Sequence, residues 1–390
     1  MPVFTELPPL SLYIHFPWCI QKCPYCDFNS HKSEQTLPEK EYINALLADL
    51  ENDLPLVWGR KINTIFMGGG TPSLFSPESM EELLNGIRAR MPVSPFAEIT
   101  MEANPGTLDN EKIPGFQQAG INRISLGVQS FNDQHLKLLG RIHDAEKAYN
   151  AIELAKKSGF EKINIDLMFG LPEQTLEQAQ NDITTAVALG TDHISYYELT
   201  LEPNTAFYHK PPCLPDDENI WDIFQQGLNI LQSANFQRYE ISAYALDKHQ
   251  CKHNLNYWQF GDYLGIGAGA HAKITDAHQQ SVTRYTKTRN PRDYLQGLQS
   301  RNFISSQKIL DNEHLLFEFL LNALRMTKGF ELSLFEKTTG LQQEALLNNL
   351  SHAFDSDLLI YDENQNIVMP TNKGLNFLNN ILEPLLPQAT

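Results

Sequence analysis

The first half of the chain alternates between two kinds of segment, and this alternation restricts the fold more than any other feature. Six short runs read as strands: SLYIHF (11–16), KINTIFMG (61–68), AEITMEANP (97–105), RISLGVQS (123–130), KINIDLMFG (162–170) and HISYYELTLE (193–202). Between them lie segments of helical period with start signals, such as PEKEYINALLADLEN (38–52) and DAEKAYNAIELAKKSG (144–159), the second closed by glycine. Repeated β-α units call for a parallel sheet with right-handed crossovers, and six of them make a barrel three-quarters complete. In parallel barrels the reactive residues sit at the carboxyl ends of the strands. Those ends carry Gly68-Gly69-Gly70-Thr71-Pro72 after the second run, Glu102 in the third, Gln129 and Ser130 in the fourth, Asp166 in the fifth and Glu198 in the sixth. The polar residues converge where a ligand would.

Past about residue 205 the pattern changes to a long helical stretch, DDENIWDIFQQGLNILQSANF (216–236), and then to the glycine- and aromatic-rich HNLNYWQFGDYLGIGAGAH (253–271). From roughly 305 the chain reads as mainly helical, and LLIYDENQNIVMPTNKGLNFLNNIL (358–382) reads as a hairpin turning at Asn364-Gln365-Asn366 followed by a helix. The expected architecture is α/β: a partial (β/α)6 barrel with a C-terminal extension over residues 1–300, then a small, mainly helical, winged-helix-like domain over 301–390. GIGAGAH (265–271) lacks the strand-turn-helix context of a dinucleotide fingerprint.

Thirty basic against 47 acidic residues give a net charge of −17, which repels phosphate backbones, so nucleic acid is not an expected partner and the terminal domain reads as a packing or partner module. The start, MPVFTELPPLSLYIHF, lacks the basic region and long apolar core of a signal peptide, and no run of about 18 apolar residues occurs elsewhere. A cytoplasmic protein without an integral membrane segment is the expectation. Five cysteines in 390 residues are too few for a disulfide scaffold.

Three of those five, Cys19, Cys23 and Cys26, fall within eight positions just after the first strand. Cys23-Pro24-Tyr25-Cys26 alone would read as a dithiol redox motif, but an exchanger has no use for a third thiol crowded beside the pair. Structural zinc takes four ligands, and no fourth lies nearby. Three clustered thiolates suit an iron–sulfur cluster held through three of its four irons, one iron staying open to an outside ligand. Cys213 and Cys251 stand alone and read as bystander or buried thiols.

The spacing Cys19-x3-Cys23-x2-Cys26, with an aromatic at Tyr25 and a glycine-rich turn after the second strand, resembles the signature of the radical S-adenosylmethionine (SAM) superfamily. The words YIHFPWCIQKCPYCDFNSH, FMGGGTPSL, EANPG, RISLGVQSF, LGRIHDA, NIDLMFGLPEQT and HNLNYW resemble, within it, the oxygen-independent coproporphyrinogen III oxidase family, and most closely its HemW branch of haem chaperones. The resemblance implies a [4Fe-4S] cluster on Cys19, Cys23 and Cys26 and SAM chelating the open iron, where an electron from the cluster can cleave the sulfonium. It implies SAM contacts at Tyr13, Tyr25, Gly69, Gly70, Thr71, Glu102, Gln129, Arg141 and Asp166, with one or two SAM molecules. It also implies haem as cargo, a haem-acceptor protein and an electron donor as partners, and His253 of HNLNYW as a haem contact offering an axial nitrogen beside flat aromatic walls.

Two departures separate the chain from the oxidases it resembles. Those enzymes carry a further Cys two places beyond the third cluster cysteine, where Phe28 stands here, and a longer segment before the cluster than the 18 residues that precede Cys19. The expected function is therefore haem delivery rather than turnover. Oxidative decarboxylation of coproporphyrinogen III is the alternative, and a zinc or iron–sulfur scaffold without SAM chemistry the third reading, against which GGGTP and Glu102 speak.

Overall fold

The computed structural model describes residues 2–33 and 36–387. Its main element is a sheet of twelve strands. Six run in sequence order side by side: β1 (Leu10–Phe16), β2 (Ile62–Gly69), β3 (Val93–Ala103), β4 (Arg123–Gln129), β5 (Lys162–Phe169) and β6 (His193–Glu198). Every neighbouring pair among them is parallel. Helices connect them, including α1 (Glu39–Asp53), α2 (Pro77–Arg90), α3 (Ala145–Lys157) and α4 (Leu176–Ala188).

Local chemistry sets these helices. Ser76 caps α2 by accepting from the Ser79 N–H at 3.2 Å, with Pro77 at the first helical position. Thr175 and Gln178 form a reciprocal capping box at the start of α4. Gly159, at φ +87°, ends α3 in the left-handed conformation that glycine adopts without strain.

Each strand alternates an apolar and a polar face. On β1, Leu12, Ile14 and Phe16 are fully buried, and Phe16 packs against Tyr42 of α1 at 6.1 Å between ring centroids. Ile99 and Met101 of β3, Ile124 and Leu126 of β4, and Ile163 and Ile165 of β5 belong to the same core; burial of each such side chain contributes about 1.5–3 kcal/mol. The intervening residues form an inner face of hydrogen-bonded polar groups. Thr64 joins Ser11 at 2.8 Å, Asn164 joins Ser125 and Ser195, and Tyr197 donates to Gln129 at 2.8 Å.

The sheet extends past both ends of the expected barrel. At one edge come β7 (Gln237–Glu240) and β8 (Ala243–Ala245), the latter antiparallel to β6. Beyond β1 lie β9 (Asp262–Ile266), β10 (His271–Asp276), β11 (Ser281–Lys287) and β12 (Ile304–Ile309). β9 pairs parallel to β1, so GIGAGAH begins in a seventh parallel strand that its glycines concealed. A Cβ on Gly265 would lie 1.8 Å from the His271 carbonyl oxygen, so the residue is bare because the chain doubles back against it. The short helix α5 (Lys252–Trp258) packs against β1 and β2.

The C-terminal part has its own core around Phe319, Phe330, Phe335 and Leu346, which also takes in Phe4, Phe260 and Val282 from the main body. Helices Asn312–Ala323, Leu332–Thr339 and Gln343–Asn349 precede a hairpin of Leu359–Asp362 and Ile367–Pro370, which Phe330–Glu331 extends to three strands. This is a winged-helix-like order of elements. The strand just before it, Ile304–Ile309, belongs to the large sheet, where the sequence reads as helical.

Candidate functional site

The chain leaves β1 at Phe16 and forms a loop that carries all three clustered cysteines back against the ends of β2 and β4. Trp18–Cys19 pairs with His31–Lys32 across the loop's neck, and the Cys26 N–H donates to the Cys23 carbonyl at 3.2 Å. Two backbone bonds stitch the loop to the glycine turn, from the Gly70 N–H to the Phe16 carbonyl at 2.7 Å and from the Thr71 N–H to the Trp18 carbonyl at 2.8 Å. Trp18 meets Tyr42 edge-on at 4.7 Å.

Gly70 is small for a reason the sequence does not reveal. A Cβ there would stand 2.6 Å from the Trp18 carbonyl oxygen and 2.7 Å from that of Phe16, so the missing side chain admits the cysteine loop itself. Gly69, at φ +107°, would drive a Cβ to within 2.3 Å of the His15 ring. Its N–H donates to Glu102 at 3.1 Å.

Cys19, Cys23 and Cys26 are free thiols and open onto a cavity of about 550 Å³ at the carboxyl ends of the strands. Tyr25, Gly69, Gly70 and Thr71 line the same cavity, as do Glu102, Gln129, Arg141 and Asp166. Eleven of the thirteen residues that the sequence assigns to cluster, SAM or haem thus meet in one place, joined by the strand-end Glu198; Ser130, expected to converge there as well, is instead buried and donates to Asp182 at 2.7 Å. Thr71 donates to the Cys19 sulfur at 3.4 Å and Arg141 to that of Cys23 at 3.7 Å. Burial raises the Cys19 and Cys26 thiols, opposed at Cys19 by the Thr71 hydrogen bond. Among the described residues no three Cys, His, Asp or Glu side chains are gathered closely enough to hold a single ion.

Charge is concentrated opposite the thiols. Burial, and then the negative charge of Asp166, push Glu102 up to about 7, while the Gly69 N–H pulls it back down. Burial also raises Asp166, which accepts from Ser125 at 3.1 Å and from Asn164 at 2.7 Å. Gln129 sits at φ +74°, strained for a non-glycine residue, and accepts from Tyr197. Ser125, Ser195, Tyr197 and Asn104 also line the cavity and were not singled out in the sequence. The period-two pattern of the fourth to sixth strands, which puts Ser125, Gln129, Asp166, Ser195 and Tyr197 on one face, is the signal that locates most of them.

The other two candidates lie elsewhere. Tyr13 lines a second cavity of about 490 Å³ that shares Phe28, Gly69 and Glu102 with the first. His253 lines neither. It is 1% exposed, its Nδ1 pairs with Thr64 at 2.8 Å and its ring lies 5.1 Å from that of Phe66, so α5 inserts it into the inner face of the sheet. Burial lowers it to about 3, and its Nε2 is buried with no hydrogen-bond partner among the described residues.

A partial parallel barrel with three free thiols after its first strand, facing polar strand ends, is the architecture of a radical SAM protein. Residues 13–186 match the profile of the Radical SAM superfamily and residues 310–375 that of the HemN C-terminal domain. The chain is 49% identical to the heme chaperone HemW of Haemophilus influenzae over 98% of its own length and 99% of the relative's. It is 48% identical to the heme chaperone HemW of Escherichia coli, over 98% and 100%. The solved structure of coproporphyrinogen III oxidase (HemN) from Escherichia coli superposes with a TM-score of 0.81 at 24% identity, covering 97% of this chain and 90% of that one. The chain belongs to the HemW family within the radical SAM superfamily.

Proposed function

We propose that the chain is a haem chaperone of the cytoplasm, which holds a four-iron cluster and SAM in the first cavity and delivers haem to an acceptor protein. Likeness to heme chaperones over essentially the whole of both chains carries this reading, whereas likeness to the oxidase structure at 24% identity extends to the fold. Among the described residues no helix is long and apolar enough to cross a membrane.

Cys19, Cys23 and Cys26 would hold the cluster, which supplies an iron open to chelation by the amino and carboxylate groups of SAM and an electron for its sulfonium. Thr71 and Arg141 donate to the sulfurs of Cys19 and Cys23, and at Cys19 the hydrogen bond opposes the upward push of burial on the thiol. Glu102 and Asp166 present carboxyl groups to a cationic ligand, and Gln129, fixed by Tyr197, presents an amide. Phe28 is 58% exposed and borders both cavities, where the oxidases carry a further cysteine. Decarboxylation of a propionate demands close alignment with the reacting centre, and a phenyl ring in that position supplies neither a thiol nor a hydrogen bond.

The test is anaerobic reconstitution followed by iron analysis and haem titration. About four irons per chain, lost when all three cysteines become Ala, and about one haem per chain that passes to a haem-depleted acceptor are the expected results. A full cluster on the triple variant, or haem that does not bind, would overturn the reading.

A further inference from the structure

Behind Asp166 runs a row of buried polar groups, and three of them, Asn164, His193 and Tyr239, do not line the cavity. Asn164 stands two residues before Asp166 on β5, on the same inner face, and lies in register with His193 of β6. Its amide nitrogen is 2.7 Å from Oδ1 of Asp166 and 2.8 Å from the Ser125 hydroxyl, while its Oδ1 is 2.5 Å from Nδ1 of His193. Nε2 of His193 is 2.9 Å from the hydroxyl of Tyr239 on β7, and that hydroxyl accepts from the Cys251 N–H at 3.3 Å.

A backbone N–H can only donate, and this fixes the direction of every bond in the row. The Tyr239 oxygen accepts from Cys251, and among the described residues its own proton has no acceptor but Nε2 of His193. His193 therefore carries its proton on Nδ1 and gives it to the Asn164 oxygen, which turns the Asn164 amide nitrogen toward Asp166. Burial, and then the positive charges of Arg123 and His249, hold His193 well below the ordinary histidine range, so the ring stays neutral and accepts on one side while it donates on the other. Ser125 donates to the second Asp166 oxygen at 3.1 Å. The row ends at Asp166, which receives a donor on each oxygen and lines the cavity.

Resting on the reading that SAM occupies the first cavity, we propose that Asn164 is a positioning residue for that ligand: held by His193 and Tyr239, it fixes the Asp166 carboxylate as an acceptor turned to a cationic centre of SAM. The row also accounts for an amide and an imidazole at buried strand positions, where each is costly unless its hydrogen bonds are made. Without Asn164 the Asp166 carboxylate loses a donor, and its charged form is stabilised less. Its attraction for a cation weakens accordingly, although Asn164 itself touches no ligand.

The test titrates cluster-reconstituted protein with SAM and follows the change in the paramagnetic resonance signal of the reduced cluster, with iron content as the control. Asn164→Leu, close in size but without hydrogen-bonding groups, is expected to weaken SAM binding by about tenfold. His193→Leu should weaken it by about fivefold, and His193→Asn, which keeps a donor nitrogen at the δ position, should return it to within about twofold of wild type. Because Asn164 acts through Asp166, Asp166→Asn should lose affinity and the addition of Asn164→Leu should cost nothing more. Wild-type affinity in both leucine variants, equal weakness in His193→Asn and His193→Leu, or losses that add in the double variant would each overturn the positioning role and leave the SAM reading standing. If the wild-type protein binds no SAM, that reading fails and this role fails with it. The two His193 variants decide the question even if Asn164→Leu does not hold its cluster.

Discussion

Replacing Gly70 by alanine tests whether the glycine turn serves the cysteine loop. The added methyl would face three backbone atoms, at 2.6 Å (Trp18 O), 2.7 Å (Phe16 O) and 2.9 Å (Trp18 N). Restoring ordinary contact requires the loop to retreat by roughly 0.8 Å, which lengthens the bonds from Gly70 and Thr71 to the same carbonyls. Overpacking of this kind costs about 1–3 kcal/mol. At roughly 2.1 cal/mol/K per residue the whole chain has an unfolding entropy of about 0.8 kcal/mol/K, so about 2 kcal/mol lowers Tm by 2–3 °C. The larger effect should fall on the cluster, because Cys19 follows Trp18 directly and its thiol must move with it. Iron per chain after reconstitution and Tm of the cluster-free protein are the two measurements. A Gly70→Ala protein with wild-type iron content and wild-type Tm would refute the assignment of this glycine to the loop.

Lys287 bridges the buried Asp49 at 2.6 Å and Asp53 at 2.8 Å, and Lys287→Met should destabilise the chain by about 3–5 kcal/mol by leaving two buried carboxylates without a cation. Burial already raises both carboxyls, Asp53 to about 6. The loss should therefore be smaller at pH 5 than at pH 8, and equal losses at both in urea melts would count against the explanation. Glu102, raised to about 7, keeps its proton in the folded chain after the unfolded chain has released it. Stability without SAM should thus fall as pH rises from about 4.5 to 7, and Glu102→Gln should flatten that fall; an unchanged pH profile would show that Glu102 is not the group responsible.

The strands and the cysteine loop were legible because their signals are local: period-two alternation, helix caps, and three thiols in eight residues. What escaped depends on distant contacts. Gly70 reads as space for a ligand until residues 16–18, more than fifty positions earlier, are found lying against it. His253 reads as an imidazole beside aromatic walls, and only the fold shows that α5 turns it inward onto Thr64, 189 positions away. Asn164 and Tyr197 find their partners, Ser125 and Gln129, on other strands, so nothing in their own segments marks them. The seventh parallel strand was hidden by glycines whose bareness is set by a neighbouring backbone.

One incubation tests the central claim most directly. Protein loaded with cluster, SAM and reductant is given coproporphyrinogen III and haemin together, and the tetrapyrroles are then separated and quantified. The account expects about one haem bound per chain and coproporphyrinogen recovered unconverted. Protoporphyrinogen IX appearing in proportion to SAM consumed would contradict it and make the chain an oxidase.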